Sequence, residues 1–117
     1  MALQAYQGFF NQNGNCYNVA FTTASATITI PVSHEVFDNV RITNTSGSTC
    51  FMQIATTNPT TITAPTAGAA GSQTVFSVPT GQTTFINTGI NAPATVYIST
   101  ISIAGTGSVF LETGNFL

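Results

Sequence analysis

The imidazole and carboxylate side chains, which can do acid–base or metal chemistry, are few, and all but Glu112 lie in one short stretch. His34, the only histidine, is followed by Glu35 and then by Asp38. Imidazole and carboxylate groups could transfer a proton or bind a metal there, provided that several subunits met at that point. A single histidine cannot build a multi-histidine metal site within one chain. The same residues also fit a solvated loop, which is the interpretation that we favour.

No pattern for nucleophilic catalysis or phosphate binding accompanies them. A serine triad would need His34 beside a serine and a carboxylate, yet no serine lies in a nucleophile-elbow sequence. Gly105 and Gly107 flank one threonine, without the third glycine and the helix of a phosphate-binding loop. The sequence therefore predicts a protein that is not an enzyme and that uses no cofactor and no metal. Its function is expected to lie in its surfaces.

The charge content is very low. Only 3% of the residues are Asp, Glu, Lys or Arg, against about a quarter in ordinary soluble proteins. Arg41 is the single residue of the Lys/Arg class, so no basic patch for nucleic acid and no polybasic membrane anchor are expected. A weakly charged surface does little to keep identical molecules apart. This favours an assembly over a monomer as the working state.

Neither membrane insertion nor secretion is predicted. No apolar run approaches the length of a bilayer span, and residues 1–15 lack the charged and apolar regions of a signal peptide. The chain is therefore expected to stay in the compartment where it is made, or to be a trimmed mature form. Cys16 and Cys50 are expected to be free thiols, as is usual in the cytosol. Cys50 alternates with Met52 and Ile54, which suits a small buried side chain.

Residues 94–113 show the clearest strand pattern. Val96 and Ile98 alternate with small or hydroxyl residues, and Val109 and Leu111 do so again after a turn bracketed by glycines. Such alternation is typical of a half-buried strand. A ribbon of two strands is not stable alone in water. We therefore expect the other strands to pack on this ribbon and to close a β domain there.

Six further strands precede this pair. Alternation bounded by Gly, Pro and Asn turns predicts them at residues 17–21, 26–30, 36–44, 50–55, 74–78 and 83–87, with Pro31 ending the second. Residues 60–64, inside a long Thr-, Pro-, Ala- and Gly-rich loop, could add a short edge strand. No segment has useful helical periodicity, so the fold class is all-β. Eight strands favour a β-sandwich, an eight-stranded jelly roll in one domain over residues 15–117. An immunoglobulin-like sandwich is the alternative, although tryptophan is absent.

Residues 1–14 differ from the rest of the chain. They carry aromatic side chains without a clean strand period and end in an Asn-Gly turn signal. We interpret them as a non-regular N-terminal arm that lies on its own domain, on a neighbouring copy or on a partner. Tyr6, Phe9 and Phe10 are its candidate partner-binding residues.

The last two thirds of the chain carry a recognisable series of strand and turn patterns. These are VRITNTSGSTCFMQIATT, then a Pro/Ala/Gly loop, then VFSVPTGQTTFI, and finally YISTISIAGTGSVFLETGNFL. Together they resemble small bacteriophage virion proteins of the capsid decoration or cement type. The resemblance implies a jelly-roll-like domain, no catalysis, and trimers or other oligomers seated on a shell of major capsid protein.

Two classes of function follow from these observations. The first is a structural virion protein on the capsid surface, made in the host cytoplasm. It would bind the major capsid protein or other virion proteins and would associate with itself, as a homotrimer by the resemblance. The second is a phage tail, host-attachment or carbohydrate-binding module. A sugar site usually uses exposed aromatic rings near Asp, Asn or Arg, and the scarcity of carboxylates and absence of tryptophan favour the structural class.

Overall fold

The computed structural model of the chain describes residues 10–116, and these form nine β-strands. The strands are β1 (Phe10–Asn11), β2 (Cys16–Phe21), β3 (Ala26–Val32), β4 (Phe37–Thr43), β5 (Cys50–Ala55), β6 (Phe76–Val78), β7 (Thr83–Ile90), β8 (Ala94–Ile101) and β9 (Gly107–Phe116). All eight predicted strands are present, so the prediction of an all-β fold is confirmed. The short β1 lies inside the segment that was expected to be non-regular. No helix long and apolar enough to cross a membrane occurs within residues 10–116.

The strands form two antiparallel sheets. In the first sheet, β9 lies between β4 and an edge formed by β1 and β2, and β7 is the opposite edge. In the second sheet, the order is β3, β8, β5 and β6. One cluster of buried side chains contains residues from both sheets, so the two sheets pack as a sandwich.

The strand pairs are nested within one another. β2 pairs with β9, β3 with β8, β4 with β7, and β5 with β6. The first of these eight strands thus pairs with the last, the second with the next to last, and so on inward. The pairing of β4 with β9 and of β5 with β8 joins these pairs into the two sheets. The arrangement is compatible with the predicted jelly roll, in which eight strands form two sheets.

The two closing strands do not pair with each other, so the predicted ribbon is wrong although both strands exist. β8 pairs with β3 and β5 in the second sheet, whereas β9 pairs with β2 and β4 in the first. The connection between them therefore crosses from one sheet to the other. Alternation identifies the buried face of a strand, but it does not identify the neighbouring strand.

The core lies between the sheets and is built from alternate side chains. Its buried members are Val19, Phe21, Ile30, Val32, Phe37, Val40, Ile42, Cys50, Met52, Val78, Ile90, Val96, Ile98, Val109 and Leu111. Full burial of one such Val, Leu, Ile, Phe or Met side chain contributes roughly 1.5–3 kcal/mol. Because the chain carries so little charge, burial of this apolar layer is the main interaction that keeps the two sheets packed together.

The long loop after β5 packs against the second sheet. Residues 60–64 form no strand, so the suggested extra edge strand is wrong. Ile62 and Ala64 are nevertheless buried, outside the cluster between the sheets. The N–H of Ile62 donates a hydrogen bond to Oγ of Ser25 over 2.9 Å. The alternation of apolar residues at 62 and 64 therefore indicates a loop that packs on the domain, not a strand that pairs in a sheet.

This loop covers part of the outer face of the second sheet. Nε2 of Gln53, on the outer side of β5, donates a hydrogen bond to the carbonyl of Gln73 over 2.8 Å. Ser99 of β8 lies between Gln53 of β5 and Thr27 of β3, and its hydroxyl is hydrogen-bonded to that of Thr27. The side chain of Ser99 is fully buried although it lies on the outer side of the sheet.

Candidate functional site

The outer face of the first sheet is the main candidate for a binding surface. Residues opposite one another in register project to the same side of a sheet. The outer face consists of the outward side chains Cys16, Asn18, Ala20, Asn39, Arg41, Thr43, Thr83, Phe85, Asn87, Ser108, Phe110 and Glu112. Arg41 and Glu112 are the only members of this set that belong to the Asp, Glu, Lys and Arg residues.

Two phenylalanine side chains are exposed on this face. Phe110 of β9 is 41% exposed and Phe85 of β7 is 47% exposed. Phe110 lies between Asn18 of β2 and Thr43 of β4. An apolar side chain surrounded by amide and hydroxyl groups is typical of an anchor in a protein interface. The face therefore combines apolar contact with neutral hydrogen-bonding groups.

The one ion pair within the described residues joins neighbouring strands on the outer face. Nε of Arg41 lies 2.8 Å from Oε1 of Glu112, directly across β4 and β9. Because the two charges cancel, the face offers a partner little net charge.

Phe10 packs on this same face. Its ring centroid lies 5.0 Å from Cζ of Arg41 and 5.9 Å from the centroid of the Phe85 ring. A guanidinium at this distance from a ring is attracted by its negative face. Of the three predicted partner-binding residues, Phe10 thus contacts its own domain, and Tyr6 and Phe9 lie outside the described residues.

Gly114 allows the N-terminal backbone to cross the sheet. β9 continues through this glycine to Phe116 and pairs with β1 there. A Cβ atom on Gly114 would lie 2.1 Å from the carbonyl oxygen of Asn11. Asn39, opposite Gly114 on β4, projects to the outer side and is only 7% exposed. The lack of a side chain at Gly114 therefore lets the backbone of Asn11 pass close over β9, and this places Phe10 on the outer face.

The residues first considered for chemistry remain in and beside the turn before β4. Oε1 of Glu35 accepts hydrogen bonds from the backbone N–H groups of His34 at 3.1 Å and Ser33 at 3.3 Å. These bonds, that of His34 foremost, hold the pKa of Glu35 below its ordinary value. Within residues 10–116 no three His, Cys, Asp or Glu side chains are grouped as metal ligands would be. The turn is thus a hydrogen-bonded connection, and Asp38 belongs to the strand that follows it.

The two cysteines are free, as predicted, and they lie in different environments. Cys16 is exposed at the edge of the first sheet, and Cys50 is fully buried in the core. Burial raises the pKa of the Cys50 thiol to about 12. Cys50 is therefore a neutral packing residue at physiological pH.

A shallow cleft lies beside the C-terminal ends of β5 and β7. It has a volume of about 320 Å³ and is lined by four threonines, two isoleucines and one alanine. Hydroxyl groups can donate and accept hydrogen bonds, but the lining has no aromatic ring and no carboxylate. This is a poor match for the sugar site considered above.

The strand pattern could have identified Phe110 as a surface residue. Val109 and Leu111 were predicted to face the core, which places the intervening Phe110 on the opposite side. The packing of Phe10 on Arg41 had no such signal, because it depends on the crossing at Gly114.

Comparisons with protein-family models, curated proteins and solved structures each returned no match.

Proposed function

We propose that this chain is a non-enzymatic structural protein of a bacteriophage virion. In this proposal it acts as a capsid decoration or cement protein, made in the host cytoplasm, that binds the shell of major capsid protein and associates with itself. The observation that carries the proposal is the nearly uncharged outer face with Phe110 exposed at its centre. Such a face suits contact through apolar groups and neutral hydrogen bonds.

The alternative is a tail, host-attachment or carbohydrate-binding module. Such a module would present its ligand site in loops or a pocket. The cleft beside β5 and β7 has neither the stacking rings nor the carboxylates that sugars are usually held by. The geometry therefore supports the structural proposal better than the alternative.

The test is a binding assay with phage particles stripped of this chain. Wild-type protein is expected to co-sediment with the particles, and Phe110→Glu is expected to weaken the affinity at least tenfold, because it places a charge where an apolar anchor is needed. Ile103→Glu is the matched control, since Ile103 is 61% exposed but lies in the β8–β9 connection.

Salt provides a second arm of the same test. Occupancy should change little between about 50 and 300 mM NaCl, because screening weakens mainly contacts between charges. Equal loss of binding in both variants would contradict the role of the outer face. Binding of the isolated chain to glycans or host cells, with none to particles, would favour the alternative.

A further inference from the structure

The second sheet is one strand short beside the C-terminal half of β5. β6 pairs with β5 only at residues 50–52, whereas β5 continues to Ala55. Within the described part of the chain, no strand pairs with residues 53–55 on the side of β6. A gap is therefore left between this end of β5 and β7, which is the edge strand of the first sheet.

The cleft of about 320 Å³ lies in this gap. Ile54 of β5 packs against the core and Ile90 of β7 belongs to it, so each sheet contributes an apolar wall. The threonines that line the cleft are Thr56, Thr57, Thr74 and Thr88. The first three are exposed, so hydroxyl groups are available at the mouth of the cleft.

One wall of the cleft is fixed by the loop before β6. Thr74 has a φ of 61°, in the left-handed region that a β-branched residue rarely adopts. Nε2 of Gln53 donates hydrogen bonds to Oγ1 of Thr74 over 3.2 Å and to the carbonyl of Gln73 over 2.8 Å. Backbone strain of this kind persists only where the surrounding contacts hold the residue in place. The wall at Thr74 is therefore preformed.

The chain before β1 leads towards this cleft. The backbone of Asn11 passes over Gly114 of β9. The ring of Phe10 then lies against Arg41 of β4 and Phe85 of β7. From one residue to the next, the contacts thus move from β9 across β4 to β7. Because β7 also lines the cleft, the nine residues before Phe10 start from a strand that forms one of its walls.

The distances allow Tyr6 to reach the cleft. Phe85 and Thr88 are three residues apart on β7, which is about 10 Å at the rise of a strand. Tyr6 is four residues before Phe10, and an extended chain of four residues spans up to about 14 Å. This length covers the distance along β7, and the long side chain of Tyr6 adds the reach that is needed to turn around the strand.

Tyr6 also matches the chemistry of the cleft. Residues 1–9, MALQAYQGF, contain no Asp, Glu, Lys or Arg, and neither does the lining of the cleft. Tyrosine has an apolar ring and a hydroxyl group that usually finds a hydrogen-bond partner when it is buried. Phe9 would fill the cleft with a ring but would offer the threonines no hydrogen bond. Tyr6 is the residue before Phe10 that suits both the isoleucines and the threonines.

We propose that residues 1–9 pass around β7 within the same molecule and place the side chain of Tyr6 in this cleft. Its ring then packs between Ile54 and Ile90, and its hydroxyl bonds that of Thr56 or Thr57. The chain itself thereby fills the cleft, so no outside ligand occupies it. The proposal does not rest on the virion role, since binding to particles can be present or absent whichever group fills the cleft.

Nuclear Overhauser spectra of the isolated full-length chain test the contact directly. With tyrosine rings and isoleucine methyl groups isotope-labelled, we expect cross-peaks from Tyr6 to Ile54 and Ile90, and Tyr6→Phe identifies the Tyr6 signals by their loss. An excess of unlabelled chain should leave these cross-peaks unchanged per labelled chain, because both groups belong to one molecule. Their loss on dilution would show that the segment enters a neighbouring copy, and their absence at every ratio would show that Tyr6 lies elsewhere. Either result overturns the proposal.

Amide exchange gives an independent measurement beside the cleft. The N–H of Ile90 donates a hydrogen bond to Oγ1 of Thr88 over 3.2 Å. Tyr6→Ser should accelerate exchange at Ile90 by roughly tenfold or more, because an emptied cleft admits water and lowers the local stability. Gln4→Ser is the matched control, since it shortens a polar side chain of the same segment and should leave the rate unchanged.

Exchange at Ser102 separates a local effect from a loss of folding. Its N–H bonds the carbonyl of Thr22 over 2.9 Å at the opposite end of the sandwich, and it should exchange at one rate in the wild type and both variants. Acceleration at Ile90 in Tyr6→Ser alone supports the proposal. An unchanged rate at Ile90, the same acceleration in Gln4→Ser, or equal acceleration at Ser102 would each contradict it.

Discussion

Cys50 couples the stability of the core to pH. Burial raises the pKa of its thiol from 9.0 to about 12. In the unfolded chain the thiol loses its proton above about pH 9, whereas in the folded protein it keeps the proton until about pH 12. The stabilising contribution of the neutral buried thiol is therefore fully present below pH 9 and is lost as the pH rises above that value.

We expect the free energy of unfolding to fall between pH 9 and pH 11, with Cys50 contributing at most about 1.4 kcal/mol per pH unit. Denaturant melts at several pH values measure this slope. Cys50→Ala should have a lower stability at pH 7 and a shallower slope, because it removes the titrating group. Identical slopes in both proteins would show that Cys50 does not carry the effect.

Asn44 is a second buried residue with a defined task. Its Nδ2 donates to the carbonyl of Ser48 at 2.9 Å and of Val78 at 2.8 Å, and its Oδ1 accepts from the backbone N–H of Ser46 at 2.9 Å. The side chain is fully buried. It ties the loop after β4 to β6, and the loop cannot be repacked without breaking these bonds.

Asn44→Asp should lower the free energy of unfolding at pH 7 by about 3 kcal/mol or more, since a carboxylate would face two carbonyl oxygens. Acidification should recover part of the loss, because a protonated acid can donate one hydrogen bond. Asn18→Asp, at an exposed position on β2, is the control and should stay within about 0.5 kcal/mol. Urea denaturation at pH 7 and pH 4 measures both variants, and equal losses would contradict the role of Asn44.

At the scale of elements, Gly114 controls the position of β1. Gly114→Ala would force its Cβ against the backbone of Asn11, so the crossing segment must move away from β9. We expect amide exchange at Gly14, whose N–H bonds the carbonyl of Thr113, to accelerate while the core strands stay protected. Gly47→Ala, in open space in the loop after β4, is the control and should change nothing. Unchanged exchange in the Gly114 variant would show that the segment tolerates the methyl group.

Strand positions could be predicted because alternation in this chain is clean. In β4, Val40 and Ile42 are buried and the intervening Arg41 is not, which follows the apolar–polar alternation of residues 40–42. The arrangement of the strands could not be predicted in the same way, since β8 and β9 show the same alternation whether they pair or lie in opposite sheets. The close approach of Asn11 to Gly114 could not be predicted either, because a glycine in the sequence is equally consistent with the end of a strand and with a strand over which another backbone segment passes.

At the scale of the whole molecule, the position of Arg41 determines how trypsin acts on the protein. The chain has one trypsin site, and it lies in β4 with β9 on one side and β7 on the other. Cleavage requires opening of a central strand, which costs nearly the full free energy of unfolding. The folded protein should therefore remain intact, while the urea-unfolded chain should be cut once. Gly47→Arg introduces a site in an open loop and should be cut in the folded state, and cutting of native wild type at a similar rate would contradict the fold.

The nested pairing also sets the order in which the molecule can be completed during synthesis. Cys16 of β2 lies opposite Glu112 of β9 in the ladder between these strands. A further 96 residues (112 − 16) must therefore be synthesised after Cys16 before its partner residue exists. β9 is in addition the strand that joins β2 to β4. Until it emerges, both strands have an unfilled side and little charge to keep them from other nascent chains. The first sheet therefore assembles late, in a step that depends on contacts between distant parts of the chain and is slow for that reason.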